Sequence, residues 1–141
     1  GLCPSLPCIN DLLNQEITVE EVQIVIAKTK PYKAVGVDEI SNEVLKCPKL
    51  LEPLHCLFTY CFQTGFIPSV WYQSIIKPIP KSSQADPRIP LNYRGISLMS
   101  TVYKVFSGIL NNRLCEFIEV NKILVDEQNG FRKNRACIDH I

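Results

Sequence analysis

Apolar positions first recur at helical spacing after Ile17, where Val19, Val22, Val25 and Ile26 line one face of a helix predicted from 18 to about 30. Thr18 can cap its start, Glu21 can reach back as the capping-box partner, and Ile17 can staple against Val22. Pro31 ends the helix from just beyond. Residues 1–16 carry Pro4, Pro7 and a short apolar patch at Leu12 and Leu13, and read as a lead-in without a firm element. A loop pivoting on Gly36 covers 32–40. Ser41 is then placed to cap a short helix over 42–46, which Pro48 stops. A longer helix begins near Leu51 and tolerates Pro53 in its first turn. It stacks Leu54, Leu57, Phe58, Cys61 and Phe62 before Gly65 closes it. A stripe of this kind reads as core.

From Trp71 to Ser100 the pattern changes. β-Branched and apolar runs mark two short strands around a polar, mobile loop, while Pro78, Pro80, Pro87 and Pro90 forbid a helix and confine pairing to ladder edges or interruptions. This stretch presents Lys77, Lys81, Arg88 and Arg94 against the single Asp86. Arginine offers a bidentate fork and lysine a compact point charge, so the set suits phosphate; a solvated basic hairpin is the alternative reading. Ser100 can cap a third long helix with Val102, Phe106, Ile109, Leu110, Leu114 and Phe117 on its buried face and Lys104 and Arg113 wet on its flanks. The segment 124–135 then places Phe131, Gly130 and three cations close together. It reads either as a clamp on a nucleic-acid backbone with Phe131 stacking, or as a glycine turn before a solvent-facing helix.

Composition narrows the class. At 141 residues, 46% hydrophobic and 21% charged, the chain is an ordinary globular sequence, long enough to bury a core. The fold class is α+β, one unit of long helices with a small antiparallel strand pair. Charges or prolines interrupt every apolar run before 18 residues, so no membrane span is expected. No signal peptide is visible, and the chain opens on Gly1 rather than Met, which leaves the true start open. The net charge of +1 hides a division: residues 1–52 hold eight acids and five bases, residues 53–141 ten bases and six acids. A polyanion would sit on the second part. Seven cysteines without a repeating spacing read as free thiols, most of them, Cys56 and Cys61 included, packed among apolar neighbours; they do not form a zinc set. His55 and His140 are isolated from any nucleophile.

Four stretches taken in order carry a resemblance. They are Lys33-Ala-Val-Gly-Val-Asp38-Glu-Ile-Ser-Asn-Glu-Val-Leu-Lys46, Gly65-Phe-Ile-Pro-Ser-Val-Trp71, Tyr93-Arg94-Gly-Ile-Ser97-Leu and Gln128-Asn-Gly130-Phe131-Arg132. Together they resemble the fingers and early palm of reverse transcriptases from non-LTR, LINE-type and jockey-like retrotransposons, over nearly everything after residue 17. The chain departs from that pattern at Val35, Val37 and Glu39, where the family usually has Pro, Pro and Gly, and at Gly95, where Pro follows the arginine. Such losses are expected to loosen or reshape the first turn and to free the backbone beside Arg94.

The resemblance implies residues 17–141 as a partial reverse transcriptase domain of a right-hand polymerase, helix-rich, with RNA template, DNA primer and dNTP as partners. By motif match Arg94 is the fingers arginine and Lys81 the candidate fingers lysine, both nucleotide-binding, while Gln128, Phe131 and Arg132 face nucleic acid. Cations there would offset charge growing on the leaving pyrophosphate. The family's Mg²⁺ ions are held by an aspartate beyond the last motif and by a Tyr/Phe-x-Asp-Asp turn; Asp38, Asp86 and Asp139 match neither, and no Asp-Asp pair occurs. The chain alone is therefore expected to be catalytically incompetent. A non-catalytic binder of RNA or RNA–DNA hybrid and a decayed pseudogene product are the competing readings. A nuclear site is implied by analogy only.

Overall fold

The computed structural model describes residues 11–84, 86–125, 128, 130 and 132. In chain order the elements are α1 (Asp11–Asn14), α2 (Val19–Lys28), α3 (Asn42–Leu45), α4 (Leu51–Thr64), β1 (Ser74–Pro80), β2 (Tyr93–Met99) and α5 (Thr101–Val120), with 3₁₀ turns at Pro48–Leu50, Ser69–Tyr72 and Pro90–Asn92. They divide into two compact units: Glu16–Gly108, and Gly1–Gln15 with Ile109–Ile141.

In the larger unit, α2 starts as its sequence dictates. The Glu21 amide donates to Thr18 Oγ1 at 3.2 Å, and the Thr18 amide to Glu21 Oε2 at 2.9 Å, completing the capping box. Ile17, Val22 and Ile26 are buried. The helix ends at Lys28, two residues short of the expected limit. Beyond it the Lys30 carbonyl accepts from Asn42 Nδ2 at 2.6 Å and the Thr29 carbonyl from Lys46 Nζ at 2.9 Å, which ties the connection to α3. The Tyr32 amide donates to Glu43 at 2.6 Å. That bond, followed by those from the Glu43 amide and the Ser41 hydroxyl, holds the Glu43 carboxyl below the ordinary glutamate range.

Leu54, Phe58 and Cys61 form the buried stripe of α4, and burial pushes the Cys61 thiol up. Gly65 closes the helix in the left-handed region at φ 71°, where only glycine sits without cost. His55 Nε2 lies 2.8 Å from the Ile17 carbonyl and pins α4 to the start of α2. Phe58 packs on Phe106 and Trp71, with centroids at 5.6 and 6.4 Å, and Trp71 on Phe106 and Tyr103, at 5.4 and 5.5 Å. This cluster is the centre of the unit and of its stability, since each aromatic pair adds to the area it buries.

β1 and β2 pair antiparallel from Ser74 opposite Met99 to Pro80 opposite Tyr93. Ser100, fully buried, accepts from the Tyr103 amide at 3.2 Å and so caps α5 as its position predicts.

In the smaller unit, α5 continues through Ile109. Arg113, expected to be wet, is buried: its guanidinium donates to the Gln15 carbonyl at 2.5 Å and to the Leu13 carbonyl at 3.5 Å. A charged side chain goes inside when backbone oxygens satisfy it. Leu114, expected inside, is 48% exposed. Cys56, read as a packed thiol, is exposed, as is Cys47, while Cys115 is partly exposed. Cys3, Cys8, Cys137, His140, Asp139 and most of the lead-in 1–16 lie outside the described residues. Among the described residues, no helix is long and apolar enough to cross a membrane.

Candidate nucleic-acid interface

The first motif folds against the end of the hairpin. Gly36 is buried where a Cβ would stand 2.5 Å from the Met99 carbonyl oxygen and 2.6 Å from the Ser100 nitrogen, so only glycine allows the two backbones to meet. Ser100 Oγ donates to Asp38 Oδ2 at 2.5 Å, and Asp38 Oδ1 accepts from the Ile40 amide at 3.5 Å. The turn is closed by a Glu39 amide to Gly36 carbonyl bond of 3.2 Å, and Glu39 adopts φ 53°. That is the left-handed region, which accounts for glycine at this place in the family pattern. Asp38 is thus committed to holding Ser100, a link between residues 62 apart that the sequence reading did not contain.

The second anchor is Trp71, 5% exposed, whose 3₁₀ turn leads into β1. Between the anchors the strands are open: every residue of β1 is exposed, and Ile76 is 69% exposed. The connecting loop is braced from within. Asn92 Nδ2 donates to the Asp86 carbonyl at 3.0 Å, the Arg88 amide to Asp86 Oδ1 at 2.9 Å, and Tyr93 Oη to the Pro87 carbonyl at 3.1 Å.

Lys81 and Arg94 are both exposed. Arg94 lies opposite Ile79 in the ladder, and the Lys81 amide donates to the Asn92 carbonyl at 2.8 Å, one step beyond β1. Residues opposite one another share a face, as do residues two apart on one strand. The two cations therefore lie on one face of the sheet, on a diagonal of about 7–8 Å. No described acidic side chain lies within ion-pair distance of either. A cavity of about 200 Å³ is lined by Pro80, Ser82, Asp86 and Tyr93, with Pro80 and Tyr93 on the face opposite the two cations. Asp86 is part of its lining, which makes the open face better suited to an anion than the cavity.

Gln128 and Arg132 belong to the smaller unit. Gln128 is exposed, with Nε2 donating to the Gly130 carbonyl at 3.2 Å. Arg132 forks onto Glu119, Nε to Oε1 and Nη2 to Oε2, both at 3.0 Å, while Nη1 reaches the carbonyls of Val125 and Gln128. Its guanidinium is engaged in the unit itself rather than displayed. Phe131 lies outside the described residues. Among the described residues, no group of three or more His, Cys, Asp or Glu side chains is placed to hold a metal ion. The Mg²⁺ that the resemblance implies finds no ligand set there.

No family model matches the chain. It is 29% identical over 127 residues to the probable RNA-directed DNA polymerase from transposon BS of Drosophila melanogaster, covering 89% of this chain and 14% of that protein. It is 30% identical to the putative 115 kDa protein in type-1 retrotransposable element R1DM of the same fly, over 87% of the chain and 12% of the relative. With the RNA-directed DNA polymerase from mobile element jockey of D. melanogaster it shares 30% identity over 82% of the chain and 13% of the relative. The chain thus spans about one seventh of the length of these curated relatives or less.

Proposed function

We propose that this chain, a relative over most of its length of the RNA-directed DNA polymerases of non-LTR retrotransposons, supplies the nucleotide- and template-binding fingers and the early palm of such a polymerase. The observation that carries the proposal is the ladder register, which sets Lys81 and Arg94 on one exposed face with no described acidic partner. Two cations held so far apart on backbone that is itself anchored can grip neighbouring phosphates of a dNTP, Arg94 through its fork and Lys81 as a point charge. By motif match, Gln128 and Phe131 would contact nucleic acid, with Arg132 shaping the Gln128 turn through the carbonyls it holds.

On this reading the chain binds substrate, and the carboxylates that hold Mg²⁺ are supplied by other residues of the polymerase. One feature supports that division: the sequence has no Asp-Asp pair. The test is dNTP affinity of the chain and its variants. Arg94→Gln and Lys81→Gln should each weaken binding about tenfold or more, the loss expected for one charge-assisted contact. Unchanged affinity in both would overturn the nucleotide assignment. Extension of a primed RNA template by the 141-residue chain with Mg²⁺ and dNTPs would overturn the division of labour.

A further inference from the structure

Lys77 matches neither position of the motif, yet the ladder puts it on the same face as both. It opposes Ile96, and Ile79 opposes Arg94, so Lys77, Ile79 and Lys81 alternate down one side of the face while Ile96 and Arg94 occupy the other. Arg94 stands diagonally from each lysine, about 7–8 Å away. The three charges form a row about 13 Å long from Lys77 to Lys81. All are exposed, and none has a described acidic side chain within ion-pair distance. The opposite face of β1, with Ser74, Ile76, Pro78 and Pro80, has no charge at all.

A triphosphate engages two neighbouring charges of such a row. A row that continues past them fits a ligand whose phosphates also continue. Ile79 and Ile96, 45% and 42% exposed, put apolar surface between the charges, where ribose and base edges can lie. We propose that Lys77 is a third phosphate contact, and that it extends this face from a nucleotide site into a binding site for the phosphodiester backbone of a single-stranded RNA. The inference rests on the reading of Lys81 and Arg94 given above.

A labelled single-stranded RNA, titrated with the 141-residue chain across a salt series, counts the contacts, because each phosphate neutralised adds about 0.7 to the slope of log affinity against log salt. Lys77→Gln should reduce that slope by about 0.7, as should Lys81→Gln and Arg94→Gln singly. Lys49→Gln, an exposed lysine before α4, should leave it unchanged. A Lys77→Gln slope equal to that of the parent chain, or RNA binding without salt dependence in the parent, overturns the proposal. So does an equal reduction in Lys49→Gln, which would mean that overall charge alone is being read. The nucleotide reading is scored separately: Lys81→Gln and Arg94→Gln should lower dNTP affinity. If they do not lower it, that reading fails, and the RNA slope still decides Lys77. Unchanged far-UV circular dichroism in each variant excludes unfolding as the cause of any loss.

Discussion

The aromatic cluster and the hairpin are built from equally apolar sequence and meet opposite fates. Phe58, Trp71 and Phe106 are 0, 5 and 4% exposed, whereas Ile75, Ile76, Ile79 and Ile96 range from 42 to 69%. The cluster stabilises itself by removing ring surface from water. The hairpin cannot, because two strands without a covering layer are marginal at best. It is held at its ends: Trp71 enters the cluster just before β1, and Met99 and Ser100 meet Gly36 and Asp38 just after β2. Cations on such an arm stay hydrated, yet their backbone is fixed by groups buried elsewhere. The difference separates the parts that fold the unit from the parts that would bind.

The largest effect should follow from emptying the cluster. Phe58→Ala removes a fully buried ring that two other rings rest on, and should cost about 3–5 kcal/mol in urea or guanidinium unfolding. A cost below about 1 kcal/mol, the range of surface changes, would break the comparison at its stable side. Next comes the attachment. Gly36→Ala forces a methyl group against the Met99 and Ser100 backbone, which cannot rotate away as a side chain could, so about 1–3 kcal/mol should be lost. It should also lower dNTP affinity, although Gly36 is on neither strand, because β2 is displaced at its end. A stable Gly36→Ala variant that binds like the parent chain would mean that the hairpin is not clamped there.

What the sequence made legible was mostly local. The Thr18–Glu21 capping box, the Ser41 and Ser100 caps and the Gly65 terminus each involve residues within four positions of one another, so pattern alone locates them. The pairings that remained hidden join distant residues. Arg113 reads as a solvated flank because nothing near it in sequence shows the carbonyls of Leu13 and Gln15, about 100 residues earlier, that satisfy it. Asp38 reads as a loop acid until Ser100 is placed beside it. Cys56 sits next to Leu57 in the chain, but neighbours on a helix point in different directions, and only one face of α4 is inside. The candidate site shows the same division. Its cations are visible as residue types, but whether Arg94 shares a face with Lys77 and Lys81 depends on the register, and a slip of one residue between the strands would put it on the opposite face.

The smallest effect should be a gain. Glu39 holds φ 53° at the end of the Gly36 turn, and its side chain is exposed. A residue with a Cβ costs roughly 1–2 kcal/mol in that region, whereas glycine enters it freely and gives back part of the difference through the greater freedom of its unfolded chain. Glu39→Gly should therefore stabilise the unit by about 0.5–1 kcal/mol, an upward shift in Tm of about 2–4 °C. Since Glu39 touches neither the aromatic cluster nor the cationic face, the gain would come from the attachment alone, the reverse of the loss expected for Gly36→Ala. A rise in stability with unchanged dNTP and RNA affinity would mean that the turn already holds the hairpin in its binding geometry despite the strain. A rise in both would mean that the strain at Glu39 reaches β2 through the Gly36–Ser100 contact and leaves the cations imperfectly set. A fall in stability would show that Glu39 is not strained, and would remove the physical reason offered for glycine at this place in the family pattern.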